Sequence, residues 1–231
     1  MYKFLVILII ILIILIILIS TIEKFDSTSN FNFEMDSSNK MRLYDECKFT
    51  GVGFNEAHEH GECSMAHQII PLCKNVLEIG GGAGKVSHAI NTLLSKRNLE
   101  TKHVVVEPGS IGLGNHGDVN IYENKKNFND KYTIIKKLCE DLTMDDLHVL
   151  EGPPDCLYTD CEGCLHKFFT TDIGKYVLDN VRFIVNEMDG MILKIDDATI
   201  VELWKKNGFV LVGSGYGCGT DCETQVWYRQ N

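Results

Sequence analysis

The sequence predicts an α/β fold, a mostly parallel sheet with helices on both faces. Three observations predict it. Short β-prone runs alternate with stretches of helical periodicity. One of them, His103 to Glu107, is almost wholly apolar, as strands buried on both faces are. The glycine-rich segment Gly80-Gly81-Gly82-Ala83-Gly84 stands between a strand and a helix.

From the N-terminus, residues 1–22 read as a hydrophobic membrane anchor. Phe4 to Ile19 are all apolar. Continued through Ser20 and Thr21 to Ile22, a helix would reach about 28 Å, close to the roughly 30 Å hydrocarbon core. A cleaved signal peptide is the rival reading. Its apolar region is usually about 7–15 residues, and no small-x-small cleavage site follows Ile19. Lys3 precedes the run, while Glu23, Lys24 and Asp26 nearly cancel after it. The positive-inside rule then puts the N-terminus in the cytoplasm and the domain on the lumenal or extracellular side. Residues 23–45 read as a polar linker, rich in Ser, Asn and Asp and without a sustained period.

Residues 46–231 form one domain, long enough for a full core. Asn75 to Ile79 is its first predicted strand. Lys85 to Lys96 carries Val86, Ala89, Ile90, Leu93 and Leu94 at helical spacing. His103 to Glu107, Tyr132 to Lys136, Asp155 to Asp160 and Phe183 to Glu187 are further strands. Ile200 to Lys206 reads as a helix stopped by Asn207-Gly208. Phe209 to Val212 and Gln225 to Arg229 close the domain as a strand pair, antiparallel across a Gly-rich connection.

The net charge of -10 argues against nucleic acid as a partner, because phosphate binding needs a basic face. Nine cysteines are many for this length. They pair if the domain is lumenal and stay reduced if it is cytosolic. Cys161-x-x-Cys164 and Cys218-x-x-x-Cys222 have metal-like spacing, but buried thiols or a disulfide are the preferred reading. His58, His60, Cys63 and His67 form a dense cluster before the glycine segment. Two readings compete there, a metal site and, in preference, a solvated or substrate-facing loop.

The glycine segment carries the strongest chemical signal. Glycines at 80, 82 and 84 let the backbone turn tightly and approach a ligand. The dinucleotide pattern G-x-G-x-x-G fails, since its last glycine would fall on Lys85 or Ser87; the phosphate-loop pattern fails at Ile79 and Val86. What remains, Glu78-x-Gly80-x-Gly82-x-Gly84, resembles the first motif of class I methyltransferases. Glu107 ends the second strand 23 residues after Gly84 (107 − 84). An acidic group at that place accepts hydrogen bonds from ribose hydroxyls. Asp160 and Glu162 stand at the end of the fourth strand, as cofactor or acceptor ligands and general base, or else as caps of the next helix. Glu140 and Asp141 follow the third strand, where a carboxylate can meet an adenine amino group.

Thr143-Met144-Asp145-Asp146-Leu147, followed by Asp155-Cys156-Leu157-Tyr158-Thr159-Asp160-Cys161-Glu162-Gly163, resembles the T-L-D-D-L and D-x-L-x-I-D-x-E-G run of FkbM-type methyltransferases. Phe183 to Glu187 and Leu203 to Phe209 continue the likeness, which spans about residues 47–230. The resemblance implies a Rossmann-like sheet, S-adenosyl-L-methionine as methyl donor, and O-methylation of a sugar or other small hydroxyl acceptor. One departure stands out. The family's acidic residue three positions after the D-x-E-G glutamate is Leu165 here, with His166 beside it as the substitute. Two other readings stay open: a membrane-tethered binding module that kept the fold without catalysis, and a nicotinamide oxidoreductase, which the failed fingerprint disfavours.

Overall fold

The computed structural model describes residues 31–109, 118–188, 196–217 and 222–230. The main folded unit runs from Glu34 to Arg229. Its first half contains α1 (His60–Ile69), β1 (Val76–Ile79), α2 (Lys85–Ser95), β2 (His103–Val106), α3 (Asp118–Asn127), β3 (Thr133–Ile135) and α4 (Met144–Leu147). The second half contains β4 (Cys156–Thr159), α5 (Leu165–Phe168), α6 (Asp172–Asn180), β5 (Phe183–Met188), α7 (Asp197–Lys206), β6 (Phe209–Tyr216) and β7 (Glu223–Arg229).

The seven strands form one sheet in the order β3-β2-β1-β4-β5-β7-β6. The first five strands pair in parallel, and β7 lies antiparallel between β5 and β6. The sheet is therefore Rossmann-like but mixed. Its order reverses between β1 and β4, so the chain leaves these strands in opposite directions and opens a crevice at their carboxyl ends.

Side chains alternate across this sheet. Leu77, Ile79, Val104, Val106, Leu157 and Ile184 share one core with Phe168, Val177 and Trp204 from the helices on that face. Val105 turns to the other face and packs with Ile121 and Tyr132. An apolar run through β2 follows, since either face of the strand meets a hydrophobic layer. Trp204 is fully buried, with its ring 5.4 Å from that of Trp227. Removing such a ring costs about 3–5 kcal/mol.

The linker reading needs correction, for the chain is folded from Glu34 onward. Asp36 Oδ1 accepts the backbone N–H groups of Ser38 and Lys40, closing a tight turn. Met35 pairs with Met41, which is buried and donates its own N–H to Ser214 O on β6. A turn closed by one aspartate needs no periodicity, so the pattern of the segment concealed it. The apolar segment 4–22 and its orientation lie outside the described residues. Among those described, no helix is long and apolar enough to cross a membrane.

Helix α1 went unpredicted because its apolar positions make only a weak stripe, and it starts after Glu59 with no side-chain cap. Tertiary contacts hold it instead. Cys63 is disulfide-bonded to Cys47, and the Tyr158 hydroxyl donates to Glu62 O. Gly61 lies so close to β6 that an added Cβ would sit 1.7 Å from Tyr216 O. Only glycine lets this helix meet that strand.

Candidate active site

A cavity of about 730 Å³ opens at the carboxyl ends of β1, β2 and β4, within the range of small-molecule sites. Its floor is the turn from β1 to α2. Gly80, Gly82 and Gly84 have φ of +90°, +49° and +87°, a left-handed region that favours glycine. At Gly80 a Cβ would lie 1.7 Å from Asp160 O, so the close approach of the chain just after the paired strands β1 and β4 has no room for a side chain. At Gly82 the nearest atom to an added Cβ is Glu59 Oε1 at 3.6 Å. The missing Cβ there leaves bare backbone along the cavity wall, a cradle for a ligand.

Gly84 has a different part. It caps α2 against Ile121 and Tyr132 and does not line the cavity. Glu78 is also displaced from its expected role. Strand alternation turns it away from the cavity, where it is 2% exposed and accepts from Ser87 Oγ at 2.8 Å and His103 Nε2 at 2.7 Å. Its work is to hold β1, β2 and α2 together through a buried network.

Glu107 does line the cavity, 8% exposed. Its carboxylate accepts from Gly82 N at 2.8 Å and Gly109 N at 2.7 Å, tying the end of β2 to the glycine turn. Each oxygen can accept more than one donor, so the group can also receive hydroxyls from a ligand. Glu140 reaches the cavity from the 3-10 turn Cys139–Asp141, with Lys167 Nζ 3.5 Å away. Its own backbone N–H is the largest influence holding its carboxyl below the usual range. Asp141, one residue on, points to solvent and does not line the cavity.

Asp160 and Glu162 form the wall after β4. Glu162 and Gly163 are both left-handed, at φ 51° and 83°, and the Cys161–Cys164 disulfide closes the turn. That bond settles the CxxC spacing as a disulfide. Cys222 is also disulfide-bonded, while Cys73, Cys139 and Cys156 are free and buried. His166 is turned away from the main cavity. Helix α5 carries it to a neighbouring void of about 20 Å³, beside Glu187 and Asp197, where its Nε2 is buried without a partner among the described residues. Leu165 is 4% exposed within the core and offers the cavity nothing. The substitute expected at His166 therefore does not reach the cavity.

Two features were read in part or not at all from the sequence. The first is an acidic cluster below Asp160. Glu187 at the end of β5 faces Asp160 and Glu62; burial and then the Asp160 charge push its carboxyl up to about 12. Glu62 is 2% exposed, accepts from Thr224 Oγ1, and is also raised by burial. These residues converge from α1, β4, β5 and β7, and no local motif announces that.

The second is the roof. Residues 53–59 cross above the glycine turn and present His58 and Glu59 to the cavity. Lys85, the first residue of α2, is fully buried and donates to the carbonyls of Asn55, Glu56 and His58. One ammonium thus fastens the roof to the floor. Within the histidine cluster, Cys63 is bonded to Cys47, His67 stacks on Tyr44, and His60 bonds Tyr44 O. Only His58 of that cluster lines the cavity.

No family model matches the chain, and no curated protein does. Solved structures do share its architecture. A protein in the NADB-Rossmann superfamily from Streptococcus agalactiae matches with a TM-score of 0.50 at 10% identity, over 84% of this chain and 72% of that one. An O-methyltransferase from Bacillus cereus, in complex with S-adenosylhomocysteine, matches with a TM-score of 0.47 at 15% identity, over 73% and 80%. The first likeness bears on the fold alone: the chain has a Rossmann-like fold.

Proposed function

We propose that the chain is an S-adenosyl-L-methionine-dependent methyltransferase of the FkbM type, acting on a hydroxyl of a sugar or other small acceptor. One observation carries this reading: the bare glycine turn at Gly80 and Gly82, joined to Glu107, forms one wall of a cavity at the strand-order reversal. The donor set fits the cofactor. Glu107 can take two ribose hydroxyls, Glu140 the adenine amino group, and Asp160 the cofactor's ammonium. When bound, the cofactor supplies an electrophilic methyl group on a sulfonium. The chain's residues hold that methyl and the acceptor oxygen in line, and they receive the acceptor's proton.

The disulfides support placing the domain in an oxidising compartment, in keeping with an anchor at residues 4–22 and a lumenal or extracellular domain. A second reading, a tethered module that binds the cofactor without catalysis, draws support from the burial of Leu165 and the turning-away of His166. Calorimetric titration with S-adenosylhomocysteine tests both. Binding by the wild type and its loss in Gly82→Val are expected; binding unchanged in that variant would sink the assignment. Bound cofactor with no methyl transfer to any hydroxyl would favour the module.

A further inference from the structure

His166 does not reach the cavity, while an imidazole that does line it stands on the roof. His58 and Glu59 both line the cavity, on the roof opposite Asp160 and Glu162. His58 Nε2 donates to Glu59 Oε1 at 2.8 Å, with the imidazole half-exposed and the carboxylate side chain 16% exposed. No hydrogen bond among the described residues engages His58 Nδ1. An imidazole held through one nitrogen, its other nitrogen free and its ring facing a ligand cavity, has the arrangement of an oriented general base.

The backbone supports this arrangement at a cost. Glu59 has φ 46°, left-handed for a residue that is not glycine. Strain of this kind persists only where surroundings impose it. Here Lys85 holds three carbonyls of the preceding loop, and Asn55 Oδ1 accepts the N–H groups of Ala57 and His58. The strained residue is the one that holds the imidazole.

We propose that His58, oriented by Glu59, is the catalytic base that takes the acceptor's hydroxyl proton. The proposal rests on the methyl-transfer reading above. The acceptor O–H gives its proton to His58 Nδ1 as its oxygen forms a bond to the methyl carbon. The carbon–sulfur bond breaks with its electron pair on sulfur, leaving a neutral thioether and a protonated imidazole. The groups acting on His58 are Glu59, then Lys85 and Glu62; the Glu59 hydrogen bond dominates and raises the imidazole above its ordinary 6.5. Glu59 is a positioning residue.

Three measurements test this. Calorimetry with S-adenosylhomocysteine comes first, and His58→Gln is expected to bind it within about threefold of wild type; failure of the wild type to bind would defeat the methyltransferase reading separately. Proton NMR titration of His58 follows: its pKa is expected above 6.5 in the wild type and lower in Glu59→Gln. A pKa indifferent to Glu59→Gln overturns the pairing, whatever the acceptor. Labelled-methyl transfer then compares two probes, methyl glucoside and 4-nitrophenol, in mildly alkaline buffer. The sugar hydroxyl needs a base and the ionised phenol does not. His58→Gln should slow transfer to the glucoside about a hundredfold and to the phenol less than about threefold. Equal slowing of both probes, or of neither, overturns the role.

Discussion

Glu107 at the end of β2 and Glu187 at the end of β5 are the same residue type at corresponding places in the two halves of one sheet, and they are held in opposite ways. Glu107 receives two backbone N–H groups, donors that match a carboxylate anion. Glu187 faces two other carboxyls and is pushed up to about 12, so it keeps its proton. The β1–β2 half therefore ties its carboxyl to the backbone beside the cavity, while the β5 half stores a neutral acid beneath the site. At Glu187 burial is the largest cause, and the facing carboxyls of Asp160 and Glu62 add to it.

That contrast can be broken at its geometric root. Gly80→Ala forces a Cβ against Asp160 O in a left-handed backbone, just past the paired strands β1 and β4. It should cost more than about 4 kcal/mol, read as loss of soluble protein or of the urea midpoint. Next in size, Glu107→Ala leaves the N–H groups of Gly82 and Gly109 at the cavity without their acceptor. It should weaken S-adenosylhomocysteine about 10- to 100-fold, or about 1.4–2.8 kcal/mol, by calorimetry. A twofold change or less would strip the β2 half of its assigned part.

The smallest effect has the opposite sign. From about 4.5 to about 12 the folded chain keeps a proton on Glu187 that the unfolded chain releases, so this residue's contribution to stability falls as pH rises through that window. Glu187→Gln mimics the neutral form and removes the dependence. Its melting temperature should exceed that of wild type by a few degrees, about 2–4 °C per kcal/mol gained, and by more in alkaline than in acidic buffer. A variant that melts lower at every pH would mean that Glu187 carries its charge when folded.

The half of the site that sequence could read is the half made by local backbone. A turn with three left-handed residues demands glycine at 80, 82 and 84, and a strand of unbroken valines must end near the crevice, which found Glu107. Glu78 was misplaced although alternation was visible, because Leu77 and Ile79 beside it take the cavity-side face. His166 was misplaced because four residues of helix sufficed to rotate it past the wall. His58 stood in a cluster whose preferred reading was a solvated or substrate-facing loop, and nothing in the sequence marked Glu59 as its partner. Glu62 and Glu187 meet only through long-range packing between α1 and β5, and nothing at either position signals the other.

The close approach of Gly61 to Tyr216 has a consequence in time. Helix α1 follows directly on the roof of the cavity, yet it rests on β6 and its Glu62 bonds Thr224 of β7. During synthesis at about 5–20 residues per second, the glycine turn and Glu107 leave the ribosome well before those strands. The floor can form early and Lys85 can hold the roof to it, but helix α1 lacks its seat on β6 and β7 until the final hairpin emerges. A nascent chain therefore passes through an interval in which the helix behind the roof is only partly seated, and a stalled one remains in it.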